Sequence, residues 1–202
     1  MLSINPTSIS ERDNYKILIG SIVPRPIAFV TTRSEKRILN GAPFSYFNII
    51  SSNPPMISLS IQRSKGKQKD TARNILNNNE FVVHIVSEQY VEKINKTAAS
   101  LAPDESELDI SGLTPIESVE ISVPGVKEAK IRMECVMEQS LELGEINSPG
   151  CDFFIGKVVQ YHIDKSIYEK GKVNPKDLAA VSRLAGADYA KIGEIFEIKR
   201  PK

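Results

Sequence analysis

The alternation of apolar and polar residues predicts a protein built mainly of β-strands. Residues 56–61 alternate apolar with small polar side chains, which is typical of a half-buried strand. Four other segments are rich in β-branched and aromatic residues and are also predicted as strands: 27–32, 81–86, 129–143 and 153–163. Residues 144–151 are predicted to form the hairpin loop between the last two.

Helical patterns are fewer and interrupt the strands at irregular places. They predict helices over residues 8–18 with Ser10 as N-cap, 71–78 capped by Asp70 or Thr71, and 88–101. Because helices and strands do not alternate, a doubly wound parallel sheet is disfavoured. We expect a small antiparallel barrel with helical insertions, since closing a sheet removes its exposed edges.

Composition and charge exclude some classes of protein but do not indicate a function. The chain has 202 residues, which fits a single domain over 1–202, and a formal net charge of +1 gives no general attraction to nucleic acid or anionic membrane. No apolar run has the length of a membrane span and no secretory pattern opens the sequence, so we expect a cytoplasmic protein. Cys135 and Cys151 form no CxxC pair and are predicted to be free thiols.

Several common site motifs are absent from the sequence. It contains no GxGxxG, GxxxxGK[ST] or GxSxG pattern, so a Rossmann site, a P-loop and an α/β-hydrolase nucleophile are unsupported. His84 and His162 lie in predicted strands, without the spacing of a metal site. The acidic residues between 104 and 109 are predicted to lie in a solvated loop, with a pocket cap or a partner contact as the alternative.

The segment 40–55 combines small polar side chains with aromatic ones and has no regular helix or strand pattern. Its hydroxyl and amide residues are Ser45, Asn48, Ser51 and Ser52, and they alternate with Phe44, Tyr46 and Phe47. One interpretation is a turn that satisfies its own backbone. The other is an apolar pocket with a few convergent polar groups, suited to a flat ring.

A second segment supports the pocket interpretation. In the basic loop 63–69, Lys65 and Lys67 are predicted to be solvated, but Lys69 precedes a helix N-terminus, where a cation is unfavourable unless an anion lies between. A phosphate there would accept bonds from the helix amides, Thr71 and Lys69, while Asp70 caps the helix or orients its neighbours. Together the two segments predict a phosphorylated aromatic cofactor. Near the C-terminus, Arg183 and Tyr189 either pack a final helix or turn, or reach the edge of that cofactor.

The order and spacing of these motifs resemble the flavin reductase-like family with the FMN-binding split-barrel fold. The resemblance runs from about residue 22 to 189, and its most specific parts are residues 24–30, 40–48, 51–55, 69–75 and 81–84. It implies a six-stranded antiparallel Greek-key barrel over about 22–165 with a C-terminal extension over 166–202, and a homodimer with FMN near the subunit interface. The residues that it implies for FMN binding are Arg25, Ser45, Tyr46, Phe47, Asn48, Ser51, Ser52, Lys69, Asp70, Thr71, His84, Arg183 and Tyr189.

The resemblance also implies an activity. Proteins of this family pass electrons from NAD(P)H through the bound flavin to free flavin or another acceptor, and the flavin carries the chemistry, so no side chain is assigned a catalytic role. An FMN electron carrier and a non-catalytic FMN-binding or sensing module remain as alternatives. One departure from the family pattern is His84, which stands where this strand usually has asparagine. If His84 approaches the flavin ring, it is expected to alter the potential of the flavin or its response to pH. Gly41 lies at a position that is usually tolerant and is given no role.

Overall fold

In a computed structural model, which describes residues 1–98, 106–145 and 148–201, the chain forms a large antiparallel sheet with helices around it. The helices are α1 Glu11–Ser21, α2 Asp70–Asn78, α3 Val91–Lys96, α4 Glu107–Ser111 and α5 Pro175–Leu178, with 3-10 turns at Pro6–Ser8 and Lys165–Ile167. The strands of the first half are β1 Arg25–Pro26, β2 Ala28–Arg33, β3 Leu39–Phe44, β4 Phe47–Ser52, β5 Pro55–Gln62 and β6 Glu80–Ile85. Those of the second half are β7 Pro115–Ile116, β8 Gly125–Val126, β9 Ile131–Glu145, β10 Ser148–Ile163, β11 Tyr168–Glu169, β12 Lys172–Val173, β13 Val181–Arg183 and β14 Tyr189–Lys191.

One short connection brings the two ends of the main sheet together. Its seven strands have the order β3-β2-β6-β9-β10-β5-β4, which places β3 and β4 at opposite ends. These two strands are consecutive in the chain and are joined only by Ser45 and Tyr46, so the ends must curl towards each other. The Tyr46 carbonyl also accepts a bond from Ser60 N on β5 at 2.8 Å. The expected antiparallel barrel with helical insertions is confirmed, with seven strands in this sheet instead of six.

The barrel interior is filled by apolar residues from alternate positions of the strands. Leu59, Phe81 and Phe154 are fully buried there, and Ala72 and Ile75 of α2 pack into the same cluster. A second cluster, which includes Phe29, Tyr90, Leu108 and Val126, lies between β2 and the helices α3 and α4. Burying a large apolar side chain contributes about 1.5–3 kcal/mol, so these clusters hold the sheet and helices in place.

The prediction that segment 40–55 lacks regular structure was wrong over most of its length. It forms β3 and β4, and only the connection at Ser45 and Tyr46 interrupts them. Each strand pairs on one side only, β3 with β2 and β4 with β5. An edge strand tolerates proline and needs no apolar alternation. Because β3 contains Gly41 and Pro43 and lacks this alternation, the sequence did not indicate a strand here.

The structure bears out two predicted helices and shortens the third. Ser10 caps α1, its Oγ accepting from Asp13 N at 3.1 Å, but α1 ends at Ser21 instead of residue 18. The predicted side-chain cap of α2 is absent: its N-cap is Lys69, and no side-chain hydrogen bond caps its first turn. Where a helix was predicted over 88–101, only Val91–Lys96 is helical, and residues 99–101 lie outside the described residues.

The acidic segment is only partly the solvated loop that was predicted. Residues 104 and 105 lie outside the described part of the chain, but Glu107 begins α4 and is buried, with 8% exposure. Its carboxylate accepts from the Asn40 amide nitrogen at 2.9 and 3.0 Å. The hairpin loop predicted over 144–151 is also shorter, because β9 continues to Glu145 and β10 begins at Ser148.

Other features of the fold agree with the sequence or add to it. Cys135 and Cys151 are both free, and burial raises the pKa of the Cys135 thiol. His162 is partly buried on β10, with Nε2 2.6 Å from a carboxylate oxygen of Glu134.

Within the described residues, no helix is long and apolar enough to cross a membrane, and no group of acidic, histidine and cysteine side chains is placed to hold a metal ion.

Candidate functional site

The connection between β3 and β4 opens into a cavity of about 420 Å³. Its walls come from α1, from the start of the barrel, and from the β13–β14 hairpin, which pairs with β1 beside the barrel. The wall combines apolar and aromatic groups with polar ones. Its residues include Tyr15, Ile19, Arg25, Phe44, Ser45, Tyr46, Ser60, Gln62, Lys69, Asn95, Arg183 and Tyr189. A mainly apolar wall with a few polar groups is the usual form of a cofactor site.

One end of the cavity is suited to an anion. Lys69 lies there with Nζ 5.7 Å from the centre of the Phe44 ring, and none of the salt bridges among the described residues involves it. Lys69 is also the N-cap of α2, whose first-turn N–H groups have no side-chain acceptor. Free N–H groups, the positive end of the helix dipole and an ammonium group together favour a phosphate.

Asp70 and Thr71, the two residues after Lys69, both use their side chains in contacts within the protein. The Thr71 hydroxyl is turned into the protein, where Oγ1 donates to Asn40 Oδ1 at 3.0 Å, and Thr71 is 2% exposed. Its single proton is therefore used, and only its backbone N–H remains for a phosphate. Asp70 pairs with Arg73 on the helix surface and caps nothing.

Arg25 lines the cavity but mainly holds its walls together. It is 6% exposed, and its guanidinium donates to the carbonyls of Ile19 at 2.7 Å, Ile22 at 2.6 Å and Leu184 at 2.8 Å. Nε also lies 3.4 Å from Ser45 Oγ. These bonds join the end of α1, β1 and the β13–β14 hairpin, so Arg25 fixes where Ser45 enters the cavity.

The predicted residues of segment 45–52 divide into three groups. Ser45 and Tyr46 line the cavity, whereas Phe47 and Asn48 line an adjoining groove of about 400 Å³ whose wall is mostly apolar. Ser51 and Ser52 lie at the far end of β4 and line neither, and Ser51 Oγ accepts from Asn53 N at 3.2 Å, as in a self-satisfied turn. The pocket interpretation therefore describes residues 45–48, and the self-satisfied turn describes Ser51.

Tyr46 reaches the cavity as a hydrogen-bond donor. Burial raises the pKa of its phenol, and the neighbouring Tyr15 raises it further. The phenol is therefore protonated at neutral pH, with an O–H available to a ligand and an aromatic face beside it.

Arg183 and Tyr189 both line the cavity, which is where the cofactor-edge interpretation of these residues needs them. They are directly opposed in the β13–β14 hairpin, with the guanidinium carbon 4.5 Å from the centre of the Tyr189 ring. Arg183 also donates to the Gly186 carbonyl at 2.6 Å, and the Tyr189 hydroxyl lies 3.3 Å from Asn95 Oδ1. These contacts fix a flat cationic and aromatic wall opposite the barrel.

The assignment of His84 to the site does not agree with the structure. His84 is fully buried on β6, and it lines neither the cavity nor the groove. Its Nε2 accepts from Val126 N at 2.9 Å, so Nδ1 carries the proton and donates to the Phe29 carbonyl at 2.9 Å. Burial lowers the pKa of His84 to about 3, so the imidazole is neutral. It joins β6, β2 and β8 within the fold.

Four polar residues of the wall were not identified from the sequence. Ser60 and Gln62 face outward from β5, where Leu59 and Ile61 face the core. The alternation that predicted a strand over 56–61 had already placed Ser60 on the outer face, whereas Gln62 lies beyond the predicted strand. Tyr15 and Asn95 come from α1 and α3. No local pattern places these helices against the barrel, because long-range packing decides where they lie.

Comparison with known proteins identifies the family. A model described as the flavin reductase like domain matches residues 19–176, which is most of the chain. The chain belongs to this family. The resemblance drawn from the sequence is thereby confirmed, and the cavity is the candidate flavin site of a flavin reductase-like protein.

Similar proteins cover nearly the whole chain. The Bacillus subtilis protein YwrF is 50% identical over 198 residues, 96% of each chain. The crystal structure of nitrilotriacetate monooxygenase component B from Bacillus cereus is 58% identical, covers 98% of each chain and has a TM-score of 0.97. A protein with a split barrel domain from Shewanella frigidimarina shares the fold, with a TM-score of 0.85 over 96% of each chain at 20% identity.

Proposed function

We propose that the protein binds FMN in the cavity and works as an NAD(P)H-dependent flavin oxidoreductase in the cytoplasm. The observation that carries this proposal is the position of Lys69, which lines an aromatic cavity and is the N-cap of α2, whose first turn has no side-chain cap. A phosphate at this end would meet the ammonium group and the helix N–H groups. The cavity of about 420 Å³ lies within the usual range of small-molecule sites.

The remaining wall suits the ring and its polar edge. Phe44 and Tyr46 offer apolar and aromatic surface, while the Ser45 hydroxyl, the Tyr46 phenol and the Gln62 amide supply hydrogen bonds. When bound, FMN would accept the electrons of the nicotinamide and pass them on. The residues of this chain would bind and orient it, and no side chain is required as acid or nucleophile.

In this proposal, electrons pass from the bound flavin to free flavin or to another acceptor. Component B of nitrilotriacetate monooxygenase, at 58% identity over nearly the whole chain, supports a role as the reductase component that serves a monooxygenase. With no dinucleotide fingerprint in the sequence, the nicotinamide would dock transiently on the open side of the cavity.

We also propose that the protein works as a homodimer. Two large apolar side chains at the C-terminal end of α1 are exposed: Leu18 at 55% and Ile22 at 60%. Leu18 and Ile22 line the apolar groove next to Ser45 and Tyr46. A contiguous apolar surface of this kind marks an interface, and covering it with a second subunit would shelter the flavin site.

An anaerobic titration tests the proposed activity. The purified protein is mixed with FMN, and binding is followed by quenching of flavin fluorescence; NADH or NADPH is then added and the flavin absorbance is recorded. Bleaching at the rate of turnover supports the oxidoreductase. Tight FMN binding without bleaching points to the electron carrier or the sensing module, and absence of FMN binding would refute the proposal.

A further inference from the structure

A group of buried polar residues lies behind the first turn of α2. Thr32, Asn40, Thr71, Asn74 and Glu107 are each at most 8% exposed. Thr32 and Asn40 are paired across strands β2 and β3, Thr71 and Asn74 are on the inner face of α2, and Glu107 begins α4. Buried polar groups cost free energy unless they are hydrogen-bonded, so the directions of their bonds are informative.

The directions follow from Glu107. Burial raises the pKa of its carboxyl, and hydrogen bonds from Gly41 and Asn40 oppose this rise. Both carboxyl oxygens lie within bonding distance of Asn40 Nδ2, at 2.9 and 3.0 Å, and one also accepts from Gly41 N at 3.3 Å, so the Asn40 amide donates towards Glu107. Asn40 Oδ1 then faces the other way and accepts from Thr71 Oγ1 at 3.0 Å and Thr32 Oγ1 at 3.3 Å. Asn74 Nδ2 donates to Thr32 Oγ1 at 3.1 Å. The helix is therefore fastened to the sheet at two successive turns by directional bonds.

Apolar packing alone would not fix the first turn of α2 so closely. Ala72 and Ile75 hold the helix against the barrel, but apolar contacts are non-directional and permit small rotations. The first turn also has no side-chain cap that would hold its N–H groups in place. The bond from Thr71 to Asn40 is thus the directional constraint on the first turn of α2, next to Lys69 in the cavity wall.

We infer that Asn40 is a positioning residue for the cofactor phosphate: held by Glu107, it anchors Thr71 and so aims Lys69 and the first-turn N–H groups of α2 into the cavity. This inference rests on the proposed binding of FMN. It assigns the Thr71 hydroxyl to the support of the site instead of to direct phosphate contact. It also explains why a carboxylate is buried at Glu107, away from the cavity wall.

The first test uses Thr71→Val, which keeps the side-chain shape and removes the hydroxyl. The measured quantity is the ratio of the riboflavin Kd to the FMN Kd, because riboflavin lacks the phosphate. We expect this ratio to fall by about 3- to 10-fold in Thr71→Val and to stay within about 2-fold of the original protein in Thr71→Ser, since the serine restores one hydrogen bond. An unchanged ratio in Thr71→Val would overturn the inference.

The matched control is Thr31→Val. Thr31 is fully buried on the same strand as Thr32, but its hydroxyl donates to the Pro124 carbonyl at 2.7 Å, on the opposite side from α2. Thr31→Val is expected to lower the free energy of unfolding without changing the ratio of the two Kd values. An equal fall of the ratio in Thr31→Val would show that any loss of stability has this effect, and would contradict a positioning role.

The second test separates positioning from direct contact. Asn40→Ala combined with Glu107→Gln removes the anchor without leaving a buried charge, and frees the Thr71 hydroxyl. Positioning predicts a lower ratio of riboflavin Kd to FMN Kd, whereas direct contact between Thr71 and phosphate predicts an unchanged or higher ratio and overturns the inference. If the unmodified protein itself binds riboflavin as tightly as FMN, the proposed phosphate site fails and not only its support.

Discussion

At the scale of single residues, burial decides what each candidate side chain contributes. The two most informative cases are His84 and Lys69, which the sequence placed in one site and the structure separates. His84 is enclosed and neutral, with both ring nitrogens bonded to backbone groups. Lys69 faces the cavity beside an uncapped helix turn. Sequence motifs identify which residue types are present, but solvent access determines which of them can meet a ligand.

The neutral state of His84 predicts a pH dependence of stability. Because its pKa is lowered from 6.5 to about 3, the unfolded chain takes up a proton between these values that the folded protein does not. Each pKa unit corresponds to about 1.4 kcal/mol, so this contribution is fully present above 6.5 and is lost as the pH falls towards 3. His84→Asn removes the titration, and its stability is expected to fall less steeply with acid than that of the original protein. Denaturant unfolding from about pH 7.5 to about pH 5 measures both slopes, and equal slopes would contradict the assignment.

Lys69 leads to a prediction about ligand selectivity. Lys69→Ala is expected to weaken FMN by about 1.5–3 kcal/mol and riboflavin much less, because only FMN carries the phosphate that a charge-assisted bond would hold. Lys67→Ala is the control, since Lys67 is an exposed cation of the same loop. Fluorescence titration of the original protein and the two variants, each with FMN and with riboflavin, gives the comparison. Equal losses for both ligands in Lys69→Ala would remove Lys69 from the phosphate site.

At the scale of elements, local signals predicted some parts of the fold and missed others for identifiable reasons. The alternation in β5 and the cap at Ser10 are local, and both were confirmed. The edge strands β3 and β4 were missed because a strand that pairs on one side needs little apolar pattern. The walls supplied by α1 and the β13–β14 hairpin depend on contacts between distant residues, which no single stretch of sequence encodes.

Arg25 is the residue by which these elements are joined, and it supplies the element-scale prediction. Arg25→Lys keeps the charge but cannot reach three carbonyls on α1 and the β13–β14 hairpin at once. We expect the free energy of unfolding to fall by about 2–4 kcal/mol, with weaker FMN binding because the cavity walls separate. Arg12→Lys on the exposed face of α1 is the matched control. Chemical denaturation measures the effect, and similar stability of the two variants would show that Arg25 does not join the walls.

At the scale of the whole molecule, the exposed apolar surface and the proposed flavin cavity adjoin each other. The groove lined by Leu18, Ile22 and Phe47 shares Arg25, Ser45 and Tyr46 with the cavity. A second subunit on the groove would therefore cover the same connection between β3 and β4 that enters the flavin site. In the proposed dimer, assembly and cofactor affinity would depend on each other, because a ligand that binds the assembled form more tightly stabilises it.

Leu18→Glu tests this dependence directly. Leu18 is 55% exposed on α1 and lines the groove, so a carboxylate there would be buried without a partner in the proposed dimer but solvated in a monomer. We expect the variant to be monomeric by light scattering on size-exclusion chromatography, with an unchanged circular dichroism spectrum and weaker FMN binding. Val119→Glu is the control, because Val119 is similarly exposed, at 67%, and lines neither the groove nor the cavity. If Leu18→Glu remains dimeric, this groove is not the interface; if it becomes monomeric and binds FMN as before, the flavin site is complete within one subunit.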